Sequence, residues 1–262
     1  MNATELYDAF ADDYHLAYHD WAASVERQGE ALDRLIQAEL GPGPQRILDC
    51  TCGIGTQSIG LARRGHSVVG TDISARAIER AKVESGKAGV TATFGVADVR
   101  SLHDFTDESF DVVISGDNSL PHLLTEDDLR QGVAGMVARL RTGGLFLASI
   151  RDYDHILTVL PVTTQPTLSG PPGQRRITFQ LWKWLPDGRT YRFELFVLAE
   201  GGPGSWTVRT FQGIYRAVKR SELTLMLRGA GAVRVEWRMP EETGFFQPLI
   251  LARAGEAKQS SS

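Results

Sequence analysis

Five short apolar segments alternate with longer amphipathic segments between residues 46 and 150, and this alternation constrains the fold more than any other feature. The apolar segments are RILDC, HSVVGTDIS, TATFGVADV, FDVVISGDN and GGLFLASI. Each has the length and composition of a strand, and helical patterns separate most of them. Strands that alternate with helices form parallel βαβ units. The sequence therefore predicts an α/β fold with a doubly wound, mostly parallel sheet.

The two ends of the chain depart from this alternation. Residues up to about Leu40 carry apolar side chains at helical spacing, and GPGP at 41–44 interrupts that pattern. After Asp154, two aromatic-rich alternating segments flank Pro186-Asp187-Gly188, which is typical of a β-hairpin. Further extended segments follow, together with a helix for which Ser221 is the expected N-cap.

These patterns predict three regions. Residues 1–43 are expected to form an N-terminal helical lid, and residues 44–154 a ligand-binding core. Residues 155–262 are expected to form an antiparallel region that completes the sheet and caps the substrate. The last residues, AKQSSS, have a polar composition typical of a disordered terminus.

Composition and charge argue against several classes of partner. The chain has 262 residues and a formal net charge of −4, whereas a nucleic-acid-binding protein needs a basic surface. No apolar stretch approaches the length of a membrane span, and the acidic N-terminus lacks the features of a signal peptide. We therefore expect a cytoplasmic protein without nucleic-acid or membrane partners, and we leave open whether it forms a homo-oligomer.

No group of side chains has the spacing of a metal site. Cys50 and Cys52 are separated by a single residue, which suits neither a redox pair nor a zinc knuckle. We interpret them as small residues in a crowded turn. His15 and His19 have the spacing of metal ligands on a helix but no evident third ligand, so a solvated helix face is the better interpretation. The sequence predicts no metal.

The segment DCTCGIGTQ, which follows the first apolar run, has the features of a ligand-binding turn. Ligands of a doubly wound sheet bind outside the carboxyl ends of its strands. Gly53 and Gly55 allow the backbone there to approach a ligand that a β-carbon would repel. Asp72 ends the second strand, where a carboxylate accepts hydrogen bonds from ribose hydroxyls; its alternative role is to cap the next helix.

The charges around this turn favour a cationic ligand over a nicotinamide dinucleotide. The dinucleotide fingerprint requires a third glycine at position 58, which is Ser58 here. No basic residue at the start of the helix serves a pyrophosphate. Asp49, ahead of the glycines, repels a phosphate and attracts a cation. A ligand with a base, a ribose and a positive end, but without phosphates, is S-adenosylmethionine.

Two further motifs are consistent with the binding of S-adenosylmethionine. Asp98 ends the third strand beside Val99, where it can accept from an adenine amino group, and DNSLPHL follows the fourth strand. Together these residues resemble the class I S-adenosylmethionine-dependent methyltransferases, over roughly Arg46 to Tyr153. The resemblance implies a Rossmann-like seven-stranded sheet with an antiparallel extension and a helical lid. It also implies a set of cofactor-binding residues: Asp49, Cys50, Gly53, Gly55, Gln57, Asp72, Ile73, Asp98, Val99, Asp117 and Asn118.

Within that superfamily the chain is most similar to glycine and sarcosine N-methyltransferases. NSLPHL resembles their N-S-F-A-H-L segment, and GGLFLASIRDYDHIL resembles their G-G-L-L-x-I-D-H-R-N-Y-D-x-I-L segment. The likeness implies that Asn118, Ser119 and His122 lie in the active-site loop, and that Arg151, followed by Tyr153, grips a substrate carboxylate. Asp117 and Asp152 depart from the pattern, in which glycine and asparagine are usual.

Four residues are candidates for handling a proton or aligning the reactants: His122, Asp117, Tyr14 and Tyr18. A histidine with an ordinary pKa near 6.5 can act as a base at neutral pH, although a structural histidine or a helix cap is an alternative. Tyr14 and Tyr18 are four residues apart, so a helix would place both on one face. Their rings could stabilise a sulfonium or simply pack on the sheet. The expected substrate-binding residues are Tyr18, Trp21, His122, Arg151 and Tyr153.

The sequence therefore favours a methyltransferase with a small-molecule substrate, acting on an amine nitrogen in the manner of glycine and sarcosine N-methyltransferases. Carbon methylation of an indole ring in a natural-product intermediate is the alternative reaction. A non-catalytic module that binds S-adenosylmethionine is the alternative from another class, although the polar DNSLPHL loop argues against it. Methylation of RNA is disfavoured by the acidic composition.

Overall fold

The computed structural model describes residues 2–106, 109–202 and 204–255. The helices are α1 (Ala3–Phe10), α2 (Trp21–Leu40), α3 (Thr56–Ala62), α4 (Ala75–Lys87), α5 (Glu126–Ala138), α6 (Tyr153–Val159), α7 (Arg220–Gly229) and α8 (Pro240–Thr243). The strands are β1 (Arg46–Asp49), β2 (Ser67–Asp72), β3 (Thr93–Val96), β4 (Phe110–Ser115), β5 (Leu140–Ser149), β6 (Thr167–Ser169), β7 (Arg176–Trp184), β8 (Thr190–Gly202), β9 (Ser205–Arg216), β10 (Ala232–Arg238) and β11 (Leu249–Ala254). The AKQSSS segment, expected to be disordered, lies outside the described residues.

Within these ranges, seven strands form the main sheet in the order β10-β11-β5-β4-β1-β2-β3. β1 to β5 are parallel, whereas β11 runs antiparallel to β5 and β10 antiparallel to β11. The predicted Rossmann-like, mostly parallel sheet with an antiparallel extension is therefore confirmed. The strand order reverses between β1 and β4, so the crevice for a ligand opens where these two strands end.

Helices α2 and α3 pack against each other through close backbone contact. A β-carbon on Gly29 of α2 would lie 2.7 Å from the Cα atom of Gly60 in α3, so the two helices meet where neither has a side chain. Ile47 and Leu48 of β1 are fully buried on the two sides of the central strand. This packing fixes the end of β1, and with it the glycine turn that follows.

The remaining strands form a separate antiparallel sheet in the order β6-β7-β8-β9, which we call the cap sheet. Trp182, Phe193 and Gly213 are paired across its three long strands and share one face. That face is apolar, since Trp182 and Phe193 are buried together with Tyr191. Of the described strands in the C-terminal region, β10 and β11 join the main sheet.

The N-terminal segment connects the two sheets. α1 packs on β9, where a β-carbon on Gly213 would lie 2.7 Å from the Leu6 side chain. Contrary to expectation, Tyr14 and Tyr18 do not share a face of an α-helix. Tyr14 begins a 3₁₀ turn that ends at Ala17, and Tyr18 is extended, with φ −95° and ψ 148°. Their rings nevertheless lie 5.9 Å apart.

Two further local features differ from or add to the sequence analysis. α7 begins at Arg220, with Lys219 at its N-cap position and no side-chain capping bond, so the expected Ser221 cap is wrong. Thr125 does cap α5, because its side chain accepts a hydrogen bond from the Asp128 amide. Among the described residues, no helix is both long enough and apolar enough to cross a membrane.

Candidate active site

A cavity of about 480 Å³ lies at the carboxyl ends of β1 to β4, with α1 forming one wall. This volume falls in the usual range for a small-molecule or cofactor site. Eight of the residues predicted for the site line the cavity: Tyr14, Cys50, Gly53, Asp72, Ile73, Asp98, Val99 and His122. The strands of the main sheet therefore bring together residues that are widely separated in the sequence.

The glycine turn after β1 has a backbone that other residues rarely adopt. Gly53 and Gly55 have φ angles of 53° and 94°, both in the left-handed region. The Gly53 amide donates a hydrogen bond to Asp72 Oδ2 at 2.9 Å, which joins the turn to the end of β2. A β-carbon on Gly53 would face the Tyr14 ring at 3.9 Å, so the glycine keeps the space between them open.

Two carboxylates line the part of the cavity assigned to the nucleoside. Asp72 accepts from the amides of Gly53 and Ser74, each at 2.9 Å, and retains further lone pairs for ribose hydroxyls. Asp98 is held by Arg100, whose Nη2 donates to Asp98 Oδ2 at 2.6 Å. Burial alone would raise the pKa of Asp98, but the hydrogen bonds from Arg100 lower it. The Asp98 carboxylate is therefore ionised and positioned.

Asp49 is a fully buried carboxylate with an unused oxygen. Ser58 Oγ donates to Asp49 Oδ2 at 2.7 Å, whereas no described group bonds to Oδ1. Burial raises the pKa of Asp49 to about 7. A buried acceptor without a partner is costly unless a ligand satisfies it. A ligand with a positive amine, such as S-adenosylmethionine, fits this position.

His122 lies on the wall of the cavity, but its ring is already engaged. Its Nε2 atom is 2.8 Å from the Tyr7 hydroxyl, and the ring also hydrogen-bonds to the backbone of Ile214. Burial, together with the positive charge of the nearby Arg151, lowers the pKa of His122 to about 3. The imidazole is therefore neutral at pH 7 and a weak base. A role in holding Tyr7 is better supported than a role as general base.

Arg151 extends from the end of β5 toward the inner face of the cap sheet. It donates to the Tyr191 hydroxyl at 2.9 Å and to Gln180 Oε1 at 3.4 Å. The guanidinium also lies 5.1 Å from the ring centre of Trp182 and 5.1 Å from that of Tyr215. No described carboxylate forms an ion pair with it, so its charge is met only by neutral groups.

Several predicted residues support the site without lining the cavity. Asn118 accepts from the Arg151 amide at 2.9 Å and donates to the Tyr153 hydroxyl at 3.0 Å. Tyr153 is fully buried beneath Arg151. Gln57 donates to Gln28 at 2.7 Å, and Trp21 donates to Thr56 Oγ1 at 2.9 Å. The side chains of Asn118 and Gln57 have their hydrogen bonds within the protein.

Asp117 and Tyr18 contact each other, although neither residue lines the cavity. The Tyr18 hydroxyl donates to Asp117 Oδ2. Asp117 and Asn118 have φ angles of 53° and 63°, so two successive residues without a glycine adopt left-handed conformations. Asp and Asn tolerate this conformation better than most residues. The bond links the N-terminal segment to the loop after β4.

Sequence reasoning missed several residues of the cavity wall and its surroundings. Tyr7, Thr51, Leu120 and Arg100 line the cavity, and Tyr215 lies against His122 with ring centres 4.3 Å apart. Tyr7 is separated from His122 by 115 residues, so no local pattern reveals their contact. The sole local signal for Tyr215 is the aromatic-rich segment SWTVRTFQGIYRAV, whose pattern predicts an extended strand and says nothing about a contact with His122.

The comparison with protein families agrees with this geometry. A family model described as a methyltransferase domain matches residues 47–144, which include the glycine turn and the loop after β4. The chain carries a class I S-adenosylmethionine-dependent methyltransferase domain. The cofactor of this domain is S-adenosylmethionine. The unused Asp49 oxygen, the glycine turn and Asp72 fit its amine, its amino-acid part and its ribose.

Curated relatives align with this chain over part of their length. It is 33% identical over 138 residues to a glycine/sarcosine N-methyltransferase of Parasynechococcus marenigrum, covering 53% of this chain and 48% of the relative. It is 31% identical over 153 residues to the enzyme of that name from Halorhodospira halochloris, covering 58% and 56%. The chain thus spans about half the length of the curated relatives it matches.

Solved structures share the fold of this chain over nearly its whole length. DesVI of Streptomyces venezuelae superposes with a TM-score of 0.73 at 20% identity, covering 97% of this chain and 99% of DesVI. KedS8, a sugar N-methyltransferase from Streptoalloteichus, gives 0.73 at 19% identity, with coverages of 98% and 95%. The similarity includes the cap sheet, which lies outside the family match.

Proposed function

We propose that the protein transfers a methyl group from S-adenosylmethionine to the amine nitrogen of a small molecule that also carries a carboxylate. The observation that carries the proposal is the charge of Arg151, which no described carboxylate neutralises. A partly buried cation without a counter-ion is unfavourable, and an acceptor carboxylate would pair with it. The names of the glycine/sarcosine and sugar N-methyltransferases support nitrogen as the methylated atom.

Substrate alignment and exclusion of water are the contributions that this chain would make. When bound, S-adenosylmethionine supplies a methyl group on a positively charged sulfur. Arg151 would hold the acceptor between the cap sheet and the cavity, close to His122, since both side chains lie against the Tyr215 ring. Alignment of this kind can lower a barrier by about 7–11 kcal/mol in ideal intramolecular reactions.

The surroundings of Arg151 also favour the neutral form of the acceptor amine, which is the nucleophilic form. Burial lowers the pKa of an amine, and so does the positive charge of Arg151. An acceptor nitrogen held beside Tyr215 and Arg151 would therefore be neutral, with its lone pair available for attack. A strong general base is then unnecessary, which agrees with the low pKa of His122, about 3.

The roles of the flanking regions belong to the same proposal. Residues 1–43 would act as a lid, because Tyr7 and Tyr14 line the cavity that the core presents. Residues 155–262 would cap the acceptor, because β7 to β9 supply the aromatic face that surrounds Arg151. The core, residues 44–154, would bind the cofactor.

A methylation assay with labelled cofactor tests the function. Glycine and sarcosine would be compared with methylamine and dimethylamine, which lack the carboxylate, and products identified by mass spectrometry. Arg151→Gln should lower kcat/KM for the carboxylate-bearing amines. The corresponding rise in activation free energy should be about 2–5 kcal/mol, the usual cost of breaking a buried charge pair. Its effect on the other amines should be much smaller. Equal losses for both sets would contradict carboxylate capture by Arg151.

The aromatic inner face favours a second candidate, carbon methylation of an indole ring. Trp182 and Tyr191 stack with ring centres 4.5 Å apart, and Phe193 and Tyr215 stack at 4.7 Å. A flat acceptor could pack against this wall. Tryptophan-containing cyclic dipeptides, tested in the same assay, distinguish the two reactions. A methyl group on the ring, with activity retained in Arg151→Gln, would favour this candidate over the first.

A further inference from the structure

Tyr7 and His122 form a hydrogen-bonded pair in the wall of the cavity. The Tyr7 hydroxyl lies 2.8 Å from His122 Nε2, and both residues line the cavity. Tyr14 and Asp72 line the same cavity and are close enough to Tyr7 to raise the pKa of its hydroxyl. The Tyr7 hydroxyl therefore lies among groups of the cavity wall.

The second ring nitrogen of His122 decides the direction of this hydrogen bond. The bond between the ring and the backbone of Ile214 raises the pKa of the ring, so a ring N–H donates to the Ile214 carbonyl. Because Nε2 faces Tyr7, this N–H belongs to Nδ1. Burial and the charge of Arg151 keep the imidazole neutral, and a neutral imidazole carries one proton. Nε2 therefore accepts, and the Tyr7 hydroxyl donates to it.

A Tyr7 hydroxyl that donates to His122 can only accept a hydrogen bond from a ligand. Burial raises the pKa of Tyr7 well above its ordinary value, so the side chain remains a neutral phenol with one proton. Its oxygen keeps lone pairs, and hydrogen bonds in a chain strengthen one another. Donation to His122 thus makes the Tyr7 oxygen a better acceptor for a group in the cavity.

The Tyr215 ring brings this pair close to the residue proposed to hold the acceptor carboxylate. The His122 and Tyr215 rings have centres 4.3 Å apart, and the Arg151 guanidinium lies 5.1 Å from the centre of the same Tyr215 ring. The Tyr7 hydroxyl and Arg151 therefore lie on groups that share one aromatic neighbour. A small molecule with an amine and a carboxylate a few bonds apart suits this arrangement.

We propose that the Tyr7 oxygen accepts a hydrogen bond from the N–H of the acceptor amine, and that His122 is the positioning residue that directs the Tyr7 proton away from the amine. The inference rests on the proposed function and adds a catalytic residue to it. The hydrogen bond would orient the nitrogen so that its lone pair points toward the methyl group. It also selects amines that carry an N–H.

The hydrogen bond to Tyr7 would strengthen during methyl transfer. The nitrogen lone pair forms the new C–N bond while the C–S bond breaks, and the electron pair of that bond remains on sulfur. Positive charge then develops on nitrogen, so its N–H becomes a charged and stronger donor. An interaction that is stronger in the transition state than in the ground state lowers the barrier. The product leaves as a methylated ammonium, so no proton has to move within the site.

Nitrogen-15 NMR of histidine-labelled protein tests the arrangement without any acceptor. His122 should have a protonated Nδ1 and an unprotonated Nε2 from about pH 5 to 8, and Tyr7→Phe should move the Nε2 resonance because it removes the donor. His66 is the internal reference, since its Nδ1 accepts from the Gln45 amide at 3.0 Å and it should show the opposite tautomer. A proton on Nε2 of His122 would reverse the bond to Tyr7 and overturn the inference.

Acceptors with and without an N–H test the contact with substrate. Sarcosine is compared with N,N-dimethylglycine, and dimethylamine with trimethylamine. Tyr7→Phe should lower kcat/KM about tenfold for the member of each pair that has an N–H, and much less for the other member. Tyr18→Phe is the matched control, because it removes a hydroxyl of the same segment that does not line the cavity, and it should leave the ratio within each pair unchanged. Equal losses for both members in Tyr7→Phe would show a purely structural role.

The outcomes separate this inference from the proposed function. Activity on dimethylamine that depends on Tyr7, without activity on sarcosine, would contradict carboxylate capture by Arg151 and support the role of Tyr7. Activity on sarcosine that does not depend on Tyr7 would do the reverse. Methylation of a ring carbon alone would overturn both proposals.

Discussion

At the scale of single residues, the contacts made by a side chain decide its chemistry more than its type does. His122 was a reasonable candidate for a base from its ordinary pKa and its position after β4. In the folded protein its ring lies between Tyr7 and Tyr215, and burial lowers its pKa to about 3. Both contacts come from distant parts of the chain, so the sequence could place the histidine but could not predict its protonation.

We therefore expect His122→Asn to change the level of activity without changing its pH dependence. An imidazole that is neutral throughout the range from about pH 5 to 8 contributes no inflection to the kcat profile there. The loss of the bond to Tyr7 should lower kcat by roughly tenfold through poorer alignment. Tyr7→Phe should produce a similar loss. An inflection near pH 6.5 that disappears in His122→Asn would show that the histidine does act as the base.

At the scale of secondary-structure elements, the sequence predicted the parallel core well and the cap poorly. β1 to β5 are recognisable because their apolar runs and the helices between them are local patterns. The assignment of β6 to β9 to a sheet of their own depends on which strands pair, and pairing is a non-local property. The packing of α1 on β9 also had no local signal, because it depends on a glycine in the strand.

Gly213→Ala should weaken the docking of α1 on the cap sheet. The new β-carbon would lie 2.6 Å from the Phe193 ring and 2.7 Å from Leu6, and neither side chain has free space to move into. Overpacking of this kind costs about 1–3 kcal/mol. Urea unfolding should show this loss, and calorimetry should show weaker binding of S-adenosylhomocysteine.

Gly86→Ala provides the matched comparison for that substitution. Gly86 is an exposed residue of α4, and a β-carbon there would contact nothing within 4 Å. The alanine should leave the free energy of unfolding unchanged or raise it by about 0.5–1 kcal/mol, because alanine has a higher helix propensity than glycine. A loss of stability equal to that of Gly213→Ala would mean that steric contact with α1 is not the cause.

At the scale of the whole molecule, stability and cofactor binding are linked through buried acids. Burial raises the pKa of Asp49 to about 7, and it also raises the pKa of Asp72 and of Asp117. In the folded, ligand-free protein these carboxyl groups therefore retain protons above about pH 4, where the same groups of the unfolded chain release them. The corresponding stability is present at low pH and is lost as the pH rises through about 7.

Thermal unfolding across pH should reveal this linkage. Without cofactor, Asp49→Asn should be stabilised relative to the natural protein at about pH 8 and much less so at about pH 5, because only the ionised carboxylate is unfavourable when buried. The comparison between the two proteins cancels the opposite contribution of His122, whose lowered pKa weakens folding as the pH falls. A stability difference independent of pH would contradict the raised pKa of Asp49.

Cofactor affinity should respond in the opposite direction. A cation favours the ionised carboxylates, so the affinity for S-adenosylhomocysteine should increase between about pH 6 and 8 and binding should release protons. Calorimetry in buffers of different ionisation enthalpy measures that release directly. Binding without proton release would show that these carboxyls are already ionised in the ligand-free protein.

The N-terminal segment touches both sheets at once, through Tyr7 on His122, Asp13 with Arg209, and Tyr18 with Arg176. The N-terminal segment therefore covers the cavity. Release of products requires several of these contacts to break together. We expect this release to be slower than methyl transfer, as it is in many enzymes that close over their substrates. The first turnover should therefore run ahead of the later ones, as a burst of methylated product equal to the number of enzyme molecules, followed by a slower steady rate.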